Sequence, residues 1–539
     1  MVYSSDAAAE DALRRYEGMQ SDRSVWESHW QDLRDLVRPQ ASDFNRKTTA
    51  GEERTTRIFD GTASRALQEL AAGLHSYMTS PASRWFMVTV DNEYLLEDDD
   101  SLLWLENVSD LIYFHFGLSE VGFNPAVHES YMDDGAFGTS VLYQDLDEIT
   151  RRPIVRAFPL ADCFIAENAS GMVDTVFRRT EYTSRQAKQA FGDRCPQKIK
   201  DEKDEFRKWT FVHCVYPRTD RDTYKEDALN MPFKSLWVSK DCRMTVRESG
   251  YKTFPYHVSR WSKLAGEIYG RSPAMDCLPD IRMLNAMSRT VIRAAQKIVD
   301  PPIVTDDDGV VLPLKTFPGA VILKTPGAAF PQPLETRGRV DIGLDMMNQR
   351  RDFIQKCFFV DYLRREQKKE RQTQLEISDV RDEMHRMMGP MLGRLQGEKL
   401  GPLIKRTYAL LDEGGFIPPA PEKLRNYRGK LRLVYISPAA RAQMSGKILA
   451  LQQAVNDAAV FSQFAPGALD VVDTDKAVQQ IFLLRDVSRK VLRTPEEIAA
   501  IREQRQQQQA LAQAAEVGGT AASGIKDLAL AQQAMANAQ

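Results

Sequence analysis

The stretch that decides the fold is Ser272–Pro302, SPAMDCLPDIRMLNAMSRTVIRAAQKIVDPP. Ser272 is a strong helix N-cap, and Pro273 stands at the first helical position, where its missing N–H is no loss. No breaker other than Pro279 follows until Asp300-Pro301-Pro302 ends the helix. On a helical wheel Ile281, Leu284, Val291, Ile292, Ala295, Ile298 and Val299 share one side, read here as the packing face. Arg282, Arg289, Arg293 and Lys297 make a narrow stripe on the other. Carboxylates occur only in the first turns, at Asp276 and Asp280, and at Asp300. A uniformly cationic face is uncommon, because solvated faces normally mix signs.

Downstream, Ile303-Val304-Thr305, Val310-Val311-Leu312 and Ala320-Val321-Ile322-Leu323 are short β-type runs. The turn sequences Asp306-Asp307-Asp308-Gly309 and Phe317-Pro318-Gly319 separate them. Val340, Leu344, Met347, Ile354 and Phe358 then restore a 3.6-residue period. The spacing predicts a small β module held at the tip of two helices. A charged loop follows, Asp361–Gln372, with five cations (Arg364, Arg365, Lys368, Lys369, Arg371) against three carboxylates, a net +2. Thr373 with Glu376 makes a capping box, so a helix is expected from Gln374, broken near Gly389-Pro390. Another is expected over 391–412, ending at Gly414-Gly415, and then a strand at Leu431–Ile436.

These segments resemble the portal, or head-to-tail connector, proteins of short-tailed, podovirus-type bacteriophages. The resemblance is carried by YGRSPAMDCLPDIRMLN (269–285), DPPIV (300–304), FFVD (358–361) and LEISDVRDEMHRMMGPMLGRLQGEKLGPLIKRTYALL (375–411). RIFDGTASRALQELAAGLHSYMTSPASRWFMV (57–88) adds to it, and so does the pair Arg260-Trp261, expected to anchor a strand end to the helices. One departure is Leu375, where the family usually has a second hydroxyl residue.

The resemblance implies an α+β, mainly helical fold assembled as a ring. Residues 1–272 would form a wing, 273–300 the first stem helix, 301–337 a β-containing clip and 338–359 the second stem helix. Residues 360–373 would be a tunnel loop, 374–437 the return through the wing, and 438–539 a helical C-terminal crown or barrel with a low-complexity tail. It further implies a twelve-subunit homo-oligomer at one capsid vertex of the virion, the head–tail junction, assembled in the host cytoplasm. Double-stranded DNA packaged by the terminase large subunit would pass through it and later be ejected. The major capsid, scaffolding, internal core and tail adaptor proteins would be further partners. The five loop cations and the stem stripe (Arg282, Arg289, Arg293, Lys297) are then candidates to meet DNA, because phosphate contacts need only placed positive charge. Val310, Val311, Leu312, Val321, Ile322 and Leu323 are candidates for docking at the clip.

The rest of the 539-residue chain fits several packed regions. Helices are expected over 6–38, with Trp26, Trp30, Leu33 and Val37 on one face, and over 63–78, 102–118 and up to Asp134. Asp133-Asp134 reads as a solvated helix end. Residues 153–262 are β-rich, with a helix Ser184–Phe191 capped by Thr183 or Ser184. Residues 439–509 are expected to be mostly helical, including Thr474–Leu484, and the Ala/Gln-rich tail from Ala510 is low in complexity.

With 72 basic and 75 acidic residues, the net charge of -3 gives no global attraction to nucleic acid, so any DNA contact depends on local placement. Six scattered cysteines without a CxxC pair fit a reducing cytosol and argue against a zinc site or disulfide framework. There is no signal-like start and no run of about 18 apolar residues, so no membrane association is expected. No GxxxxGK[ST], HExxH or GxSxG motif occurs, and no cofactor or metal is expected. The chain is therefore read as non-enzymatic. A terminase-like packaging enzyme would need the missing phosphate loop. A capsid or scaffold protein without a channel would more often be highly charged and helical throughout.

Overall fold

The computed structural model describes residues 6–46, 49, 51–92, 95, 98–147, 149–225, 227–304, 340–367, 386–427, 431–436, 450–458 and 497–508, with isolated positions elsewhere, notably 323, 326–327, 329–330 and 332–333. Two compact units divide the chain: 1–91, 107–420 and 428–437 make the first, and 92–106, 421–427 and 438–539 the second.

The chain opens with α1 (Asp6–Leu36), α2 (Thr62–Met78), β1 (Phe86–Val90), α3 (Asp99–Gly117) and α4 (Phe123–Phe137). Strands β2 (Thr139–Leu146), β3 (Pro153–Phe158), β4 (Cys163–Glu167) and β5 (Val173–Thr183) follow, then α5 (Ser184–Phe191). Next are β6 (Lys208–Pro217), β7 (Phe233–Ser239), β8 (Met244–Tyr251) and β9 (Tyr256–Arg260). The helical part comprises α6 (Leu278–Val299), α7 (Val340–Cys357), α8 (Val360–Gln367) and α9 (residues 386–395). A π-helical turn (Gln396–Leu400) leads into α10 (Gly401–Glu413). The two-residue strands β10 (Ile303–Val304) and β11 (Gln332–Pro333) pair antiparallel, and β12 (Leu431–Tyr435) pairs antiparallel with β1.

The β-rich segment forms an antiparallel five-stranded sheet in sequential order from β4 to β8, covered on both faces. On one face Ala9, Ala12, Leu13 and Tyr16 of α1 pack against Phe164, Phe177, Val212, Cys214, Leu236 and Val238. On the other, Trp209, Phe211 and Val246 meet Ala187 of α5 and Ile199. Residues 212 and 214 thus face α1 while 209 and 211 face α5, the two-residue period of a strand. Burial on both faces accounts for the dense apolar run Phe211–Tyr216. Both halves of a capping box join Thr183 and Gln186, so Thr183 is the cap of α5.

A three-stranded sheet, β3-β2-β9, lies beside α4, which packs in turn on α2. Trp30, Leu33 and Val37 of α1 are buried as their shared face predicts, and the Trp30 indole N–H donates to Phe137 O at 3.2 Å. Gly138 turns α4 into β2 at φ 76°, and an added Cβ there would lie 2.4 Å from Gly270 O. Only glycine satisfies both the left-handed backbone and that approach.

Two expectations are corrected in this unit. Asp133 and Asp134 are buried rather than solvated, because Arg38 and Lys399 supply opposite charges inside the fold. The helix over 386–395 continues through Gly389 and Pro390, where burial of Met388, Leu392 and Leu395 outweighs poor local propensity.

In the second unit, Asp98 accepts from Ser101 N (3.1 Å) and Ser101 Oγ (2.7 Å) and pairs with Lys423. The Lys423 ammonium, first, and the Ser101 hydroxyl hold the Asp98 carboxyl down to about 2. Residues 450–458 and 497–508 are helical, within two expected helical stretches. Val478 and Ile481 are the described residues of Thr474–Leu484, and the tail from Ala510 lies outside the described residues.

Candidate functional site: the stem and its anchor

The stem starts where Ser272 does two jobs. Its Oγ accepts from Met275 N at 3.1 Å, capping the turn Pro273–Asp276, and donates to Ala136 O at 2.9 Å. The expected single helix is interrupted here: Cys277 leaves helical geometry and α6 begins at Leu278, with Pro279 in its first turn. Proline is tolerated at that point because its missing N–H has no intrahelical partner to lose.

α6 and α7 run antiparallel. A Cβ added to Gly343 would touch Val291 at 3.5 Å, Ser288 Oγ donates to Met347 Sδ at 3.4 Å, and Arg350 pairs with Asp280 at 2.7 Å. Ile281, Leu284, Ser288, Met347 and Ile354 form the buried seam. The rest of the expected packing face is not covered. Val291 is half-buried, Ala295 exposed, and Ile292, Ile298 and Val299 are 45%, 51% and 85% exposed. One antiparallel partner covers only a narrow stripe, and the seven apolar positions span more than that. Leu344, Met346 and Phe353 on α7 are exposed as well.

The cationic stripe divides. Arg282 pairs with Asp32 of α1, and the Arg289 guanidinium stands 5.5 Å from the Phe59 ring centroid. Arg293 and Lys297 are exposed toward the far end. The base of the stem is clamped by residues 57–60, which the sequence reading gave only as the start of a family-like motif. Asn285 Oδ1 accepts from Phe59 N (2.7 Å), and its amide donates to Arg57 O (2.9 Å). Arg351 of α7 donates twice to Asp60, at 2.8 and 3.0 Å. A lone Asn on a cationic helix face was the available sequence cue.

At the other end of α7, Phe358 is buried and Phe359 takes φ 57°, turning the chain into α8. The segment read as a charged loop from Asp361 is therefore helical as far as Gln367. Val360 and Leu363 bury against the body, and a Cβ on Gly73 of α2 would lie 2.6 Å from Leu363 Cδ1. Arg364 and Arg365 fall in this helix, while Lys368, Lys369, Arg371 and the capping box at Thr373 lie outside the described residues. So do Val310, Val311, Leu312, Val321 and Ile322, the expected docking candidates, while Leu323 is described and exposed.

Within the body, Arg260 and the π-helical turn build a second, buried anchor. Arg260 donates to Glu398 through Nε (3.0 Å) and Nη2 (2.8 Å), to Gly171 O (2.9 Å), and to Glu167. Lys263 joins Glu167 at 2.6 Å. The next residue on the turn, Lys399, donates to Ser130 Oγ at 2.9 Å and pairs with Asp134. Asp134 also accepts from Ser259 Oγ at 2.8 Å. Burial pushes the Asp134 carboxyl up and the Lys399 ammonium down, and their mutual attraction opposes both shifts. Asp133 is raised to about 6 by burial, with Arg38 acting against it. Arg260 thus anchors the end of β9, as the Arg260-Trp261 pair suggested. The carboxylate and amine that complete the anchor were missed, because Gln396–Leu400 reads as ordinary helix.

A two-helix stem stands on an α+β body and is clamped to it through Asn285, Arg351 and Arg282. The chain belongs to the bacteriophage head to tail connecting protein family, whose sequence profile matches residues 9–492. It is 30% identical to the "Portal protein" of Salmonella phage epsilon15 over 545 aligned residues, covering 98% of this chain and 96% of that one. It is also 30% identical to the "Probable portal protein" of Bordetella phage BPP-1 over 520 residues, 93% and 92% of the two chains. Among the described residues no helix is long and apolar enough to cross a membrane.

Proposed function

We propose that twelve copies of this chain close into a ring at one capsid vertex, with the stems around a channel for double-stranded DNA. The terminase large subunit drives the genome in through this channel and the genome later leaves by it. Family membership supports the reading. The observation that carries it is the far half of the stem, where Ile292, Ile298, Val299, Leu344 and Met346 stay exposed beside a buried base. Apolar residues in such a row are completed by copies of the same surface in a closed symmetric assembly.

In this reading 273–300 and 338–359 are the stem, and 301–337 is a clip that docks the motor and then the tail adaptor proteins. Residues 1–272 with 374–437 form the wing, against the capsid, scaffolding and internal core proteins, and 438–539 form the crown. The five cations of the 360–373 segment ring the DNA, and Arg293 and Lys297 are the stem residues that can join them. Contacts of this kind are independent of sequence and sensitive to salt.

Negative-stain images of the purified chain test the ring: radially symmetric particles are expected, and a chain that stays monomeric at every salt concentration refutes it. Changing Arg364, Arg365, Lys368, Lys369 and Arg371 to Gln tests the grip separately. Intact rings with shortened or leaking genomes are expected. Normal genome length with normal retention refutes the grip while leaving the ring standing.

A further inference from the structure

Cys277 and Cys357 face each other at the stem base. The antiparallel pairing sets Val291 beside Gly343 and Ser288 beside Met347. Fourteen residues back from Val291 is Cys277, and fourteen on from Gly343 is Cys357. Both thiols are free; Cys277 is fully buried and Cys357 half-buried. The Cys277 thiol donates to Ala274 O at 3.8 Å and lies next to the Cys357 sulfur. Each cysteine also stands at a helix break. Cys277 is the non-helical residue between the capped turn and α6, and Cys357 precedes the Phe358-Phe359 turn into α8.

We propose that Cys277 and Cys357 form an oxidation-closed staple, a disulfide site that ties the start of α6 to the end of α7 once the particle leaves the reducing cytosol. The oxidant is a low-molecular-weight disulfide such as oxidised glutathione. The more exposed Cys357 attacks as its thiolate, forming a mixed disulfide and expelling one small thiolate. Cys277 then gives up its proton and attacks the Cys357 sulfur, and a second small thiolate leaves. Two protein thiols become one S–S bond, one small disulfide becomes two thiols, and both protons end on the small thiols. The Cys277 hydrogen bond holds the Cys357 thiol below its usual range, which suits it to be the attacking group. The buried Cys277 is pushed up, chiefly by that same bond, and is reached only through Cys357.

The bond would close the loop from 277 to 357, fixing the two helix breaks to each other while leaving the far stem untouched. A rival pair exists in Cys195 and Cys242, which share the cluster beneath α5.

The test treats the purified full-length protein with oxidised glutathione at pH 8, blocks remaining thiols with N-ethylmaleimide and maps non-reduced peptides. A Cys277–Cys357 cross-linked peptide is expected, with loss of two of the six thiols. Dithiothreitol should reverse it, and the melting midpoint should rise by several degrees because the unfolded chain is constrained. Cys357→Ser should abolish the cross-link and leave Cys277 reduced. Retention of all six thiols overturns the proposal, as does a Cys357–glutathione adduct that never resolves or a cross-link at Cys195 and Cys242 instead. The wild-type peptide map decides the matter even where the serine variant fails to fold.

Discussion

At the anchor, Arg260, Glu167, Glu398, Lys399 and Asp134 are largely removed from water, and each charge meets an opposite one within the same chain. Along the far half of α6, Ile298 and Val299 stand exposed beside Arg293 and Lys297. The first region completes itself and sets geometry. The second leaves apolar and cationic side chains uncovered among the described residues. The first lies in the body, between the end of β9 and the π-helical turn, and the second on the α6–α7 hairpin.

Predictions that break this contrast are strongest at the anchor. Lys399→Ala leaves Asp134 fully buried without its cation and should cost about 3–5 kcal/mol in denaturant unfolding. The paired change Asp134→Leu with Lys399→Met should recover most of that loss, since an apolar replacement needs no partner. No loss in the single variant would show that the pair is not buried as described.

Acid should sharpen the contrast in an unusual direction. Asp133 sits at about 6 when folded, above an ordinary carboxyl, so the folded chain binds its proton more readily. Its contribution is therefore present at low pH and is lost as pH rises from about 4 through 6, a change of roughly 2–3 kcal/mol. Asp133→Asn should flatten the melting midpoint across that window, and an unchanged slope would contradict the assignment.

Gly73→Ala is expected to act at about 1–3 kcal/mol by driving a methyl into Leu363. Because α8 leads into the cationic segment, this variant should also disturb DNA retention more than its modest stability cost suggests; thermal melts and filled-head assays read the two separately. The smallest effect on the folded chain belongs to the far stem. Ile298→Asp with Val299→Asp should shift unfolding by no more than about 0.5 kcal/mol, yet prevent assembly on sizing columns. A stable variant that still assembles would show that this face is not the one copies share.

Much of this contrast was readable from residue order. Asp300-Pro301-Pro302 marked the end of the first stem helix, Ser272 with Pro273 capped only the short turn ahead of it, and the sequence motifs pointed to the family before any geometry. The period could not say which apolar positions would be covered, because it records a face and not the width of its partner; hence Ile281 is buried and Ile298 is not. The anchor was illegible for a different reason. Glu398 and Lys399 are adjacent in the chain, a pattern that ordinarily means solvent, and only long-range packing against Arg260 and Asp134 brings both inside.

That adjacency has a consequence for how the chain tolerates length changes. A π-helical turn carries about one residue more than the α-helical turn it replaces, so it shifts the phase of everything after it. Downstream, Arg406 reaches Gln144 O and Thr253, and Thr407 accepts from the Gln144 amide. Removing one residue from Gln396–Leu400 would restore a regular helix yet swing α10 by about 100° about its axis, carrying Arg406 and Thr407 off their partners. The turn works as a keyed coupling between two lengths of one shaft: substitutions in it can be graded, but its residue count is fixed.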